Sequence, residues 1–147
     1  ASGCHILSAI RELIGLPKAI RSAVVSPNGM QFSLVFEYDN FNMVFEEMND
    51  QEIVEFDEAI EIYQGDRKML LEYDTPYIRY LPSKLTVSEL DCGQAKTTVY
   101  GPHYHDMFAN ELLEFYRCVT THDTPKCDVF DAAEDVKLYI DVAKMMK

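Results

Sequence analysis

The chain has 147 residues, of which 48% are hydrophobic, and 25 Asp and Glu against 13 Lys and Arg give a formal net charge of −12 at pH 7. This length and apolar content suit one folded domain and exclude a disordered chain. Nucleic acids and anionic membrane surfaces are bound by clusters of Lys and Arg, so an acidic chain without such a cluster argues against both as partners.

A helix is predicted at the start of the chain, where apolar residues repeat at helical spacing from Ile6 until Gly15-Leu16-Pro17 ends the pattern. His5 therefore falls in the first turn, where the positive end of the helix dipole favours the neutral imidazole. A neutral imidazole can accept a proton from a substrate hydroxyl, so His5 is the catalytic candidate, and a structural role is the alternative. Arg11 on the same helix is a candidate for binding a substrate carboxylate, with an ion pair to Glu12 as its alternative.

The central part of the chain shows the two-residue alternation of β-strands. It predicts strands over residues 18–25, 30–38, 41–46, 52–63, 68–73, 84–90 and 96–100. Gly- and Asn-containing turn signals, such as Asn28-Gly29 and Gln64-Gly65, separate several of them. Strands joined by such short turns are largely antiparallel.

Helical periodicity returns after the strands. One helix is predicted over 106–120 with Asp106 as its N-cap, and the Asp131–Glu134 capping-box pattern predicts another from Asp131 to about Lys147. Because strands and helices are segregated, we expect one α+β domain over 1–147, with a mainly antiparallel open sheet and helices packed on one face.

The second face of the predicted sheet also carries apolar residues, which need to be buried. Segments such as 60–63 and 69–71 have apolar residues on both sides of the strand. We therefore expect self-association through the sheet, as a homodimer or higher oligomer, and a sheet covered on both faces within the domain is the alternative.

The sequence lacks the usual nucleotide-binding loops. Its six glycines, at positions 3, 15, 29, 65, 93 and 101, form no Gly-x-Gly, so the dinucleotide fingerprint and the P-loop are both absent. We expect no cofactor on this chain.

The histidines and cysteines are the remaining candidates for ligands and for indicators of location. His103 and His105 are two positions apart in the sequence, so their side chains can bind the same cation, but no sequence pattern points to further ligands. We assign no metal and treat the two histidines as candidates for a substrate-facing loop. Four cysteines without a CxxC pair and the absence of a span of about 20 apolar residues favour a cytoplasmic location.

The order of these features resembles the C-terminal domain of Gfo/Idh/MocA-type oxidoreductases over essentially the whole chain. Gly3-x-His5 and Leu13-x-Gly15-x-Pro17 are similar to the family's Asp-x-Gly-x-His helix start and Leu-x-Gly-x-Pro exit. The strand–turn–strand over 62–70, the pattern Phe108-x-x-Glu111-x-x-x-Phe115 and the closing helix are similar as well. Ala1 stands where the family motif has aspartate, and Ser8 where an acidic residue is common.

The resemblance implies an antiparallel sheet that often pairs with another in dimers. It also implies a preceding Rossmann domain that holds NAD or NADP, and hydride transfer to or from a hydroxyl-bearing carbon, usually of a sugar or polyol. His5 matches the family's acid/base histidine. This chain would then be the substrate-binding and oligomerisation domain of an NAD(P)-dependent dehydrogenase, inactive alone. The substitutions at Ala1 and Ser8 favour the alternative of a non-catalytic module that associates through its exposed sheet face.

Overall fold

A computed structural model of the chain describes residues 3–49, 52, 56–75 and 77–146. Within these residues it has three helices and seven strands, whose bounds are α1 Gly3–Ile14, β1 Ala19–Val25, β2 Gln31–Glu37, β3 Asn42–Met48, β4 Glu58–Gln64, β5 Arg67–Tyr73, β6 Pro82–Asp91, β7 Gln94–Tyr104, α2 Met107–Thr121 and α3 Val129–Met145. No helix in this part of the chain combines the length and apolarity needed to cross a membrane.

The predicted α+β class is confirmed. Every strand pairing is antiparallel, and the strands divide into a sheet of order β1-β2-β3 and a sheet of order β4-β5-β6-β7. The fold forms two compact units, the first from Ala1–Ile53 with Lys126–Lys147 and the second from Val54–Pro125. The expectation of one domain over 1–147 stays a prediction, and each unit is described by itself.

The first unit holds the best-packed part of the chain. Leu34 and Phe36 on β2 are completely buried, and the register places Leu34 opposite the buried Phe45 of β3. The helix α3 packs against β1, and α1 packs against α3. The remaining buried hydrophobic side chains are those of Ile6, Leu7 and Ile10 on α1, Tyr38 after β2, and Val142 on α3. Each Leu or Phe buried in this way stabilises the fold by roughly 1.5–3 kcal/mol.

The second unit is a four-stranded meander with one apolar face. In the register of β4–β7, the residues that share this face are Ile60, Ile62, Met69, Leu71, Leu85, Val87 and Tyr100. The opposite face carries the ion pairs Glu61–Lys68 and Glu72–Lys84. No described residue of this unit is among the fully buried hydrophobic side chains, and α2 does not pack extensively on the strands. The apolar face therefore lacks a helical cover within its own unit.

The start of α3 differs from the prediction. The capping residue of α3 is Asp128 and not Asp131, because the Asp128 carboxylate accepts hydrogen bonds from the backbone N–H groups of Phe130 and Asp131 at 2.9 and 2.8 Å. Glu134 pairs with Lys137 instead of reaching back to a cap. The strand predicted over 52–63 is described from Glu58 onward, and residues 53–55 lie outside the described part.

Candidate functional site

His5 is the third residue of α1 and lies in its first turn, where the sequence places it. Its side chain is exposed, whereas those of the next two residues, Ile6 and Leu7, are buried. The burial of its neighbours fixes this end of the helix on the first unit and leaves the imidazole at the surface. A ligand in contact with the N-terminal end of α1 can therefore reach His5. The catalytic role of His5 stays a prediction.

Arg11 lies in the last turn of α1, and two carboxylates of α3 bind its guanidinium. The Nε atom donates to Asp135 at 2.5 Å, while Nη1 and Nη2 donate to the two carboxylate oxygens of Asp131 at 2.8 and 2.7 Å. The Arg11 side chain is only 12% exposed. We call Arg11, Asp131 and Asp135 the Arg11 clamp.

The sequence-based alternative for Arg11 is an ion pair with Glu12, and in the structure Arg11 pairs with Asp131 and Asp135 instead. Glu12 instead lies 3.7 Å from the ammonium group of Lys126, at an exposed position. Because Asp131 and Asp135 occupy the Arg11 donors, a substrate carboxylate would have to compete with both. The structure thus gives Arg11 a role in joining α1 to α3, and its assignment to substrate binding stays a prediction.

The clamp also shifts the acid–base equilibria of its surroundings. The hydrogen bonds from Arg11 hold the pKa of Asp131 below its usual value, and the same bonds raise the pKa of Arg11. Burial and the neighbouring Asp131 raise the pKa of the Cys127 thiol. Asp131 and Arg11 therefore stay charged near neutral pH, and the Cys127 thiol stays protonated. The fixed charges suit Asp131 and Arg11 to holding the helix, and none of the three groups is suited to transferring a proton.

His103 and His105 lie at the end of β7, which extends to Tyr104 and so places His103 in a strand rather than in the predicted loop. Their ring centroids are 5.8 Å apart with an angle of 30° between the ring planes, as expected for positions i and i+2 of an extended chain. Both side chains are exposed. Among the residues that the structure describes, no three His, Cys, Asp or Glu side chains are grouped to hold a metal ion.

A cationic side chain missed in the sequence lies beside Asp106, the residue that follows His105. Asp106 caps α2 as predicted, accepting a 3.1 Å hydrogen bond from the N–H of Ala109. Arg79 lies 3.6 Å from the Asp106 carboxylate, and its guanidinium is 5.6 Å from the ring centroid of Phe108. Arg79 is a single Arg in a segment without periodicity, so no sequence pattern singles it out.

The second unit also has an open cleft of about 380 Å³. It involves none of the predicted site residues, and its lining comes from residues just before β4 and from the ends of β5, β6 and β7, which no local pattern reveals. Glu72 and Lys84 pair within it at 2.7 Å. Burial and the negative charge of Glu58 raise the pKa of Tyr73. The lining residues are Phe56, Asp57, Glu72, Tyr73, Asp74, Pro82, Lys84, Pro102 and Tyr104.

The predicted site residues therefore fall into two groups. His5 and Arg11 belong to the first unit, about 1.7 turns apart on one helix. His103 and His105 belong to the second unit, just before Asp106, which pairs with Arg79. Each group is a separate candidate region.

Comparison with known proteins shows the fold. No protein-family model and no curated protein matches the chain. Two solved structures, both described as those of candidate oxidoreductases, share its fold. The protein yvaA from Bacillus subtilis matches 98% of this chain with a TM-score of 0.72 and 12% identity. The protein YPO2259 from Yersinia pestis matches 97% with a TM-score of 0.70 and 10% identity. This chain spans about half the length of each, 48% and 46%.

Proposed function

We propose that this chain is the substrate-binding and oligomerisation part of an oxidoreductase. The reaction would transfer a hydride between NAD or NADP and the hydroxyl-bearing carbon of a sugar, a polyol or a related compound. The observation that carries the proposal is the fold, which aligns almost the whole chain with about half of two candidate oxidoreductases. The resemblance of Gly3-x-His5 and Gly15 to the Gfo/Idh/MocA motifs, at the start and end of α1, supports the same class.

The glycines of this chain do not fit a dinucleotide cofactor. Gly15, Gly29, Gly65 and Gly93 have positive φ angles in turns, where they serve chain reversal. A Cβ atom at Gly101 would lie 2.9 Å from the carbonyl oxygen of Ser83, so that glycine allows β6 and β7 to approach. NAD or NADP would therefore be held by another part of the protein.

In this proposal the chain supplies the group that accepts the substrate proton and returns it. When a hydroxyl-bearing carbon is oxidised to a carbonyl, the hydroxyl loses its proton, and the His5 imidazole can accept it. In the reverse direction the imidazolium returns that proton to the oxygen that forms the hydroxyl. Arg11, His103 and His105 are secondary substrate contacts in this proposal.

Oligomerisation would use the apolar face of the four-stranded sheet. Tyr100 on this face is 53% exposed, and the other residues of the face are partly buried. Apolar surface that stays accessible to solvent is typical of association sites. A homodimer or higher oligomer is therefore part of the proposal.

A cytoplasmic location is also part of the proposal. Cys92, Cys118 and Cys127, the cysteines whose side chains the structure describes, are unpaired. Free thiols persist in a reducing compartment, which supports this location.

The same face favours a second candidate function, a non-catalytic module for protein association. The observation in its favour is that the second unit contains none of the fully buried hydrophobic side chains of the described residues. A module of this kind needs the sheet face but has no use for His5.

An activity assay on the protein that contains this chain together with a dinucleotide-binding domain separates the two candidates. Sugars and polyols are supplied as substrates with NAD and, separately, with NADP, and the reduced cofactor is followed by its absorbance. The oxidoreductase proposal predicts cofactor reduction with at least one of these substrates. The association module predicts none, together with a stable oligomer.

A further inference from the structure

The open cleft of about 380 Å³ lies at one end of the four-stranded sheet, and none of the residues assigned to the proposed reaction lines it. We propose that this cleft binds a small organic cation, whose ammonium group pairs with Asp57 and Asp74 while its apolar part lies against Tyr104. The volume falls in the range of about 300–1,000 Å³ that is usual for small-molecule sites. All the lining residues belong to the second unit, so the site does not depend on the role proposed for His5.

The register of the sheet brings the lining residues together. Extending the β4–β5 register by one residue places Asp57 opposite Asp74. Extending the β5–β6 register in the same way places Asp74 opposite Pro82, and Pro82 pairs with Tyr104. Because directly opposed residues share a face of the sheet, these four side chains form a row across its end, and all four line the cleft. We call them the end row.

The two carboxylates of the end row have no cationic partner in the part of the chain that the structure describes. The Asp57 side chain is exposed, and no Lys or Arg pairs with it or with Asp74 there. One oxygen of Asp74 accepts a 2.7 Å hydrogen bond from the N–H of Thr75, which orients its carboxylate. Like charges opposite each other on neighbouring strands repel, and a bound cation would offset this repulsion.

The next row of the same face argues against an anionic ligand. Lys84 is the cationic side chain among the described lining residues, and its ammonium group lies 2.7 Å from the Glu72 carboxylate. This pair neutralises itself, so the carboxylates of Asp57 and Asp74 set the net charge of the lining. An anion entering the cleft would have to break the Glu72–Lys84 pair and face both of them.

The aromatic side chains of the cleft favour an organic cation. Tyr104 is 61% exposed and Phe56 is 38% exposed, and Pro82 and Pro102 add further apolar surface. The face of an aromatic ring attracts an ammonium group, and the ring also covers the apolar part of the ligand. A cation without an apolar part would leave this surface unused.

Asp66 offers a matched control for Asp57. Both are exposed carboxylates next to β4, but Asp66 lies in the turn between β4 and β5, at the opposite end of the sheet from the end row. Asp66→Asn therefore changes the net charge of the chain by the same amount as Asp57→Asn and leaves the cleft unaltered.

The test is an NMR titration of the 147-residue chain at neutral pH with benzylamine, benzyl alcohol and benzoate. The three probes share a ring and differ in charge, the amine being present as its ammonium ion. The salt concentration is about 0.15 M, at which charges more than about 8 Å apart are largely screened. The amide signals around the cleft, those of residues 56–57, 72–74, 84 and 104, report binding, and the titration is repeated on Asp57→Asn, Asp74→Asn and Asp66→Asn.

We expect benzylamine to shift the cleft signals saturably and to bind at least roughly fivefold more tightly than benzyl alcohol or benzoate. Asp57→Asn and Asp74→Asn should each weaken its binding by roughly fivefold, whereas Asp66→Asn should leave it unchanged. Absence of a saturable shift, equal binding of benzyl alcohol, or an equal loss in Asp66→Asn would each overturn the proposal. None of these readouts involves turnover, so failure of the proposed reaction is a separate result.

Discussion

The hydroxyl of Tyr38 donates a hydrogen bond of 3.2 Å to the carbonyl oxygen of Gly15, and so joins the residue after β2 to the residue after α1. Gly15 has a φ of +83°, and its N–H bonds to the Arg11 carbonyl at 2.8 Å, which ends the helix. Tyr38 is only 8% exposed and stacks on Phe41 with ring centroids 4.5 Å apart. Burial raises the pKa of the Tyr38 hydroxyl and keeps it protonated as a donor.

Tyr38→Phe removes this hydrogen bond while retaining the ring. We expect it to lower the free energy of unfolding by about 1 kcal/mol, because the Gly15 carbonyl loses its side-chain donor. Tyr63→Phe is the control, since the Tyr63 hydroxyl bonds to Glu61 at 2.6 Å on a side chain that is 73% exposed. Denaturant titration of both variants measures the difference. Equal losses would mean that the Tyr38 bond contributes no more than a surface contact.

Acid should weaken the clamp through Asp131. Because Arg11 lowers the folded-state pKa of this carboxyl, its contribution to stability is fully present above the unfolded value of about 3.9 and is lost as the pH falls through the lower folded value. Asp131→Asn has no carboxyl to titrate, so the advantage of the native chain in melting temperature should shrink below about pH 4.

The control for this experiment is Asp141→Asn. Asp141 also lies on α3, pairs with Lys144 at 2.7 Å, and is 59% exposed. Thermal unfolding of the three proteins is followed from neutral to acid pH. A difference between the native chain and Asp131→Asn that does not vary with pH would contradict the expectation.

Association through the apolar face can be tested with two neighbouring residues of β7. Tyr100 pairs with Leu85 and shares the apolar face, whereas Val99 pairs with Thr86 on the opposite face, and the two are 53% and 54% exposed. We expect Tyr100→Lys to weaken self-association at least roughly tenfold, because it would bury a charge, and Val99→Lys to leave it unchanged. Sedimentation velocity measures both. Equal effects of the two variants would place the interface elsewhere.

The proposal that the cofactor and the substrate bind to different parts of the protein can be tested by calorimetry. Titration of NAD or NADP into the 147-residue chain should release no binding heat, since five of its six glycines serve turns or the β6–β7 contact and no two form a Gly-x-Gly pattern. The protein that also carries a dinucleotide-binding domain should bind one of the two. Micromolar binding to this chain alone would refute the separation.

Local patterns predicted most of the elements of this fold. Gly15 and Pro17 marked the end of α1, and the alternation along β2 and β3 predicted a hairpin because one face of each strand faces a core. The division of seven strands into two sheets could not be predicted in the same way. Whether β3 pairs with β4 depends on contacts between segments, which periodicity within a strand does not encode.

The long-range contacts of the candidate site, like the pairing of the strands, could not be predicted from local patterns. The first-turn position of His5 follows from local spacing, whereas the partners of Arg11 lie more than 100 residues away. The error at the start of α3 has the same origin. Asp131 fits a capping box by local spacing, but in the structure its carboxylate binds Arg11 and Asp128 caps the helix.

The most direct test of the account is the turnover of His5→Ala in the protein that contains both this chain and a dinucleotide-binding domain. His122→Asn is the control, because His122 is an exposed histidine with a φ of +58°, a conformation that Asn tolerates. Loss of a general acid/base predicts a fall in kcat of roughly 10²–10⁴-fold for His5→Ala and little change for His122→Asn. Turnover of His5→Ala equal to that of the unmodified protein would contradict the assignment of His5 as the acid/base.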